Sequence, residues 1–277
     1  MIHAEEVFRM KGSFWKILLK VVAGGLLCVV LFFANALFGN PLSATLARFA
    51  AQRYVAQEYS HLNLKIDKVG FNFKDCDYYA KVSSPTSEDT HFTIDISMWG
   101  KVKWDTYESV TGGYNTATRL NNEYRELVRA AKEGLAATCE IDTLTGDLNG
   151  SGYNCGWLAD YGLRESELVV DGEYDILELA ARHGGLYINV RDEDVSYERG
   201  AEILSGIAAR LEKAGVPFYA VDFTLQKPKR EDGVREDISL WLLDFPAADI
   251  GGPDFEQKVK EGHERTMEYF GEENLLE

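Results

Sequence analysis

Basic residues are scarce in this chain. Its 277 residues hold 29 Lys and Arg against 45 Asp and Glu, a formal net charge of −16. An acidic surface repels phosphate backbones, so nucleic-acid binding is excluded as the main role. Cysteine is rare too, four in all, and proline is limited to six. Four cysteines are too few for the dense framework of a small secreted scaffold. Internal repeats and low-complexity tracts are absent. Reactive signatures fail one by one. The zinc-protease helix needs a second histidine four places after the first, and the one candidate, His263-Glu264, has Met267 there. Gly150-Ser151-Gly152 lacks the spacing of a nucleophile elbow. It also misses the dinucleotide fingerprint, because Cys155 takes the third glycine position and Gly156 comes one late.

One long apolar run is present. Residues 21–38 read VVAGGLLCVVLFFANALF, with Asn35 the only polar side chain and no charge. At about 1.5 Å per residue such a helix reaches about 27 Å, close to the ~30 Å hydrocarbon core of a bilayer. Arg9, Lys11, Lys16 and Lys20 precede it, and the next basic residue is Arg48. This asymmetry predicts a cytoplasmic N-terminus, with everything beyond residue 40 carried across the membrane. The predicted order is a cytoplasmic tail over 1–13 and a signal anchor in membrane lipid over 14–39. A cleaved signal peptide is the rival, since Ala34-Asn35-Ala36 has the small-x-small form of a processing site and would release the rest after Ala36. A lipoprotein would need a small residue before its acylated cysteine, and Leu27 precedes Cys28. Removing the four basic and two acidic residues of 1–40 leaves 25 basic and 43 acidic outside the membrane.

Beyond the run, Asn40-Pro41 suits a helix start, with Asn as cap and Pro at the first position. Leu42, Leu46, Phe49 and Ala50 then predict a helix with an apolar stripe. The period changes to two at Leu62, Leu64 and Ile66, continues through Val69, Phe71 and Phe73, and returns at Phe92, Ile94, Ile96 and Met98. Val102 and Trp104 follow a turn at Trp99-Gly100. Ala117, Leu120, Tyr124, Leu127, Val128, Ala131 and Leu135 predict a long helix closing this unit. The expectation is a helix-sheet-helix α+β domain over 40–141, a Gly/Asn/Asp-rich linker or loop over 142–158 and a second α+β domain over 159–277. In both, an antiparallel or mixed sheet packs on helices. In the second, Asp175 to His183 reads as a helix with a left-handed cap at Gly184-Gly185. Leu186–Val190, Tyr219–Leu225 and Ile238–Leu243 read as strands, the last two joined by the charged hairpin KPKREDGVRED. Helices follow at Ile203–Leu211 and Phe255–Phe270.

Several groups invite chemistry and have plainer readings. Asp192, Glu193, Asp194 and Glu198 could gather a hard cation for a metal-assisted hydrolase. Acids also favour a first helical turn, with Asp194 or Ser196 as cap. Asp142, Asp147, Asn149 and Asn154 miss the spacing of a calcium loop. His263 lies on an apolar stripe and reads as a core histidine. Tyr78, Tyr79, Trp99, Trp104, Tyr107 and Trp157 mostly lie in strand registers that would pack the core. Cys139 and Cys155 could close a loop worth about 3 kcal/mol if oxidised, which leaves Cys76 alone. No catalytic, cofactor-binding or metal-ligating residue is assigned, and no cofactor is expected.

The basic tail, the apolar run ending in Asn-Pro, and the patterns LNLKIDKVGFNFKDCDYYAKV and HFTIDISMWGKV resemble the exported YfjL-like proteins of Gram-positive bacteria. The resemblance covers residues 15–135 well and the rest more loosely. Because it rests on overall pattern, it implies no site residue. The first domain is also similar in topology to cystatin-like and PepSY-like modules. The expected function is a membrane-anchored, extracytoplasmic, non-catalytic binding or accessory module whose partner is an envelope or membrane protein.

Overall fold

The computed structural model describes residues 2–133, 139–150, 155–229, 233, 238–271 and 276. Among them are seven α-helices and two four-stranded sheets. The chain divides into one unit over Met1–Val110 and another over Thr111–Glu277.

The first unit begins with α1 (Ile2–Phe38), whose window Leu18–Asn35 is apolar enough to cross a membrane and packs against nothing. Gly39 has φ +69°, a left-handed value that stops the helix at little cost. Asn40 caps α2 (Pro41–Glu58), its Oδ1 accepting from the Ser43 N–H at 2.8 Å, with Pro41 at the first position as expected. Next come β1 (Lys65–Asn72), β2 (Asp77–Ser84), β3 (Ser87–Ile96) and β4 (Val102–Asp105), an antiparallel meander in that spatial order. Ala80, Val82, Phe92, Ile94 and Ile96 form the buried face. α2 lies on this sheet through Ala47, Ala50 and Ala51, so of the expected stripe Ala50 is buried while Leu42, Leu46 and Phe49 face outward. Alanines let the helix approach the sheet closely, which turns the bulky residues away.

Two side-chain clusters tie α2 down. At its start the Tyr78 hydroxyl accepts from the Asn40 N–H at 2.9 Å and donates to the Asn40 carbonyl at 3.0 Å. At its end the hydroxyls of Tyr54 and Tyr59 both donate to Asp105 Oδ2, at 2.6 and 2.7 Å. Tyr59 also packs against Phe92 and Tyr107. Burial and the Asp105 carboxylate push the Tyr59 hydroxyl far above its usual pKa, so it remains a donor.

The second unit follows the single turn α3 (Glu108–Thr111). It contains α4 (Tyr114–Glu133), β5 (Glu140–Asp147), α5 (Ile176–His183), β6 (Gly185–Arg191), α6 (Tyr197–Lys213), β7 (Ala220–Gln226), β8 (Ser239–Pro246) and α7 (Phe255–Phe270). The strands stand in the order β5-β6-β7-β8, with β6 and β7 parallel and both outer pairs antiparallel. The mixed sheet follows from connectivity, since α6 is the crossover that lets β7 run beside β6 in the same direction.

Two expected boundaries are corrected. The long helix α4 does not close the first domain. Leu120, Tyr124 and Val128 lie in one core with Leu144, Ile188, Leu204 and Phe223 of the second unit. Residues 142–147, expected as the start of a linker, belong to strand β5. Tyr124 explains both. Its ring fills the space over Gly146, where an added Cβ would meet it at 2.5 Å, and its hydroxyl donates to the Pro217 carbonyl at 3.1 Å. Gly184 is corrected likewise. It has φ −71°, so space is what it supplies, with the Tyr124 hydroxyl 2.8 Å from where its Cβ would be. Most of the charged 227–237 hairpin and Leu135 lie outside the described residues.

Candidate functional site

α6 is capped by Ser196, whose hydroxyl accepts from the Arg199 N–H at 3.2 Å. Its face of Ile203, Leu204, Ile207 and Leu211 is buried. The neighbouring face carries Ser205, Ala208, Ala209 and Glu212, and there the small residues leave room. Gly215 turns the chain at φ +70° and sends Val216-Pro217-Phe218 across the end of the helix towards β7. Together with Leu177 of α5 and Ile250 after β8, these residues line a groove of about 610 Å³. Among the described residues Glu212 is the only ionisable group in that lining. Its floor is fixed by the bond from Tyr124 to Pro217. A mostly apolar concavity with few polar groups is the usual form of a binding site.

A second constellation surrounds Asp244 on β8. This residue is buried and has φ +45°, at an irregularity in the β7–β8 register. Its Oδ1 accepts from the Tyr161 hydroxyl at 3.1 Å and its Oδ2 from the Cys155 N–H at 3.2 Å. Its own N–H donates to Asp222 Oδ1 at 2.8 Å, and Trp157 Nε1 donates to the Leu243 carbonyl at 3.1 Å. The segment around 155–162 is thus strapped to β8. Burial first, then the carboxylates of Asp244 and Asp222, push the Cys155 thiol up to about 11. A thiol so placed is protonated at neutral pH, the reverse of an activated nucleophile. Its alkylation in detergent-solubilised chain should therefore be slow near pH 8 and rise steeply towards pH 11. Modification at Cys155 already at its plateau rate at pH 8, followed by mass spectrometry, would contradict this.

The four sequence-singled carboxylates do not converge. Arg199 places Nε and Nη2 on Asp192 Oδ2 at 3.0 and 2.7 Å, and the Asp194 N–H donates to Asp192 Oδ1 at 3.0 Å. Burial raises the Asp192 carboxyl, but Arg199 and the backbone amides of Asp194 and Glu193 outweigh it, leaving the group below its usual range. Glu193, Asp194 and Glu198 are not drawn into a ligand set; among the described residues no three His, Cys, Asp or Glu side chains could hold a metal ion. Because the folded pKa is depressed, the stability this pair contributes is present above the ordinary Asp value, about 3.9, and is lost as pH falls through the folded value. The gap in melting temperature between the wild type and Asp192→Asn should therefore close as pH drops below about 4. A gap constant down to pH ~2 would refute the linkage.

The remaining candidates have ordinary partners. Asp142 meets Arg191 at 2.7 Å and Asp147 meets Arg125 at 2.6 Å. Asn149 sits in the turn after β5, and Asn154 lies outside the described residues with Ser151 and Gly152. His263 is buried, its Nδ1 3.1 Å from the Trp241 nitrogen, in a core setting. Cys139 and Cys155 are free thiols, as are Cys28 and Cys76, so the loop-closing disulfide is absent. Tyr78 packs inward as expected, but Trp99 and Trp104 are exposed. The groove was missed because its signal, Ala208-Ala209 beside Gly215, consists of small residues that also occur on any helix face.

The chain thus joins one helix long and apolar enough to cross a membrane to two α+β units, the second of which carries an apolar groove. Residues 14–106 match the model of the YfjL-like N-terminal domain, and residues 128–260 match that of the YfjL-like C-terminal domain. The chain belongs to the YfjL-like family. The gap between the matched regions falls where α4 begins, in keeping with the division at Val110. No curated protein and no solved structure matches the chain.

Proposed function

We propose that this chain is a single-pass membrane protein that acts by binding. Residues 14–39 hold it in the cell membrane, with the N-terminus cytoplasmic and both α+β units extracytoplasmic, as an accessory module of a Gram-positive envelope. The groove along α6 carries this reading. Its walls are apolar and small, with Glu212 and the Ser205 hydroxyl as the polar side chains of the lining, the form of a site that holds a ligand. Tethering raises the effective concentration of the groove towards membrane-bound partners, so weak affinity suffices. Arg199 on Asp192 weighs against the metal-assisted hydrolase.

The test is a photo-cross-linking side chain in place of Ala208 in intact cells. A discrete adduct with an envelope or membrane component is expected, and it should vanish when Ala209→Trp fills the groove. Adduct formation insensitive to that substitution would overturn the assignment. A C-terminal phosphatase fusion should be active; activity confined to a cytosolic reporter would reverse the topology. Intact mass distinguishes the anchored chain from one cleaved after Ala36.

A further inference from the structure

The place where α1 leaves the first unit is surrounded by exposed apolar side chains from three separate segments. Tyr78 holds Asn40 through both its backbone groups, and a Cβ on Gly39 would lie 2.9 Å from the Phe71 ring. The start of α2 is therefore fixed at the end of the sheet formed by Asn72, Asp77, Ile96 and Val102. Both hairpin tips at that end project past it. The β1–β2 tip carries Phe73, 57% exposed, and the β3–β4 tip carries Trp99, 81% exposed. Beside them stand Leu42, 79% exposed, and Leu46, whose Cβ lies 3.4 Å from where Gly100 would place one. The core-facing residues of the same strands, Tyr78 and Ile96, are buried in the ordinary way. The tips are therefore not a frayed core but apolar side chains turned outward at one end of the sheet.

Because the Leu18–Asn35 window of α1 is not buried against any of the described residues, it projects away from the sheet. The rim around its exit is the part of the unit nearest the bilayer if α1 spans one. We infer that this rim is a membrane-contact surface: Phe73, Trp99, Leu42 and Leu46 rest in the headgroup boundary of the leaflet from which α1 emerges. Tryptophan favours that boundary because its ring is apolar and its N–H still finds a polar partner, while phenylalanine and leucine bury their apolar surface there. Lys74 and Lys101 are exposed at the same two tips, placed to reach lipid phosphates. Asp75, the acid at the first tip, is turned onto Asn72 at 2.5 Å. Two copies of a chain of net charge −16 repel one another, whereas the lysines at the tips meet headgroup phosphates, so the occupant is lipid. This inference rests on α1 being a membrane span and adds that the folded unit itself touches the lipid.

Cys76, exposed in the β1–β2 tip, provides a native reporter. The full chain is made with Cys76 as its sole cysteine, labelled with an environment-sensitive fluorophore, and reconstituted into phosphatidylcholine/phosphatidylglycerol vesicles containing headgroup-nitroxide lipid. A second chain carries its only cysteine as Thr86→Cys, at the opposite end of the sheet. The Cys76 label should be quenched at least about twofold more than the Thr86→Cys label, as interfacial depth requires. The double variant Phe73→Ser/Trp99→Ser should reduce it to the Thr86→Cys level. Equal quenching at both sites in vesicles that float with the protein, or quenching unchanged in the double variant, overturns this inference alone. A chain that does not float with the vesicles overturns the anchor as well.

Discussion

Tyr124→Ala is expected to lower the melting temperature of the second unit by roughly 10 °C, from a loss of about 3–5 kcal/mol. The residue is fully buried and touches α4's partner strand through Gly146, the end of α5 through Gly184 and the groove floor through Pro217. Truncation leaves a ring-sized cavity that two glycines cannot collapse into, because neither has a side chain to move. Tyr124→Phe separates the contributions, since it keeps the ring and removes only the bond to the Pro217 carbonyl, at about 1 kcal/mol. Calorimetry on the three chains checks the order. An alanine variant melting within a degree or two of wild type would show that Tyr124 does not join these elements.

Leu26→Arg/Val30→Arg is the second large effect. Each arginine near the centre of a membrane helix costs about 2.5–3.5 kcal/mol on insertion, so the pair costs about 5–7 kcal/mol. The chain should leave the carbonate-resistant membrane fraction. Since the Leu18–Asn35 window packs against nothing, the two folded units should keep their melting temperatures when purified from the soluble fraction. Retention of the variant in carbonate-washed membranes would count against α1 as a span. Loss of folding in both units would instead mean that α1 supports them.

These two sites differ in how far the sequence reveals them. The apolar run, the Asn40-Pro41 cap and the alternation at Val69-Phe71 and Phe92-Ile94-Ile96 depend on local rules, and the structure follows them in α1, α2, β1 and β3. α4 was legible as a helix but not by partner. Its stripe of Leu120, Tyr124 and Val128 says which face is buried, and nothing in a 3.6-residue period says against what. β5 was hidden because Gly146 looks like loop composition, yet it is glycine so that Tyr124 can lie on the strand. The bulky members of the α2 stripe face the other way for a related reason. Bulk suggested that Leu42 and Leu46 face the sheet, whereas close approach chose Ala47, Ala50 and Ala51. The candidate site was the least visible part. A groove is made where side chains are small, and a strained aspartate such as Asp244 has no sequence mark of its φ.

The joint at Gly39-Asn40 has a mechanical consequence. With Asn40 gripped at its N–H and its C=O by one tyrosine hydroxyl, no slack chain separates the rod from the sheet. A free leash would let the first unit sweep a hemisphere; a two-residue elbow with one of its residues tied down narrows that sweep. Twisting the rod about its long axis would turn the start of α2, and the sheet it is tied to, with it.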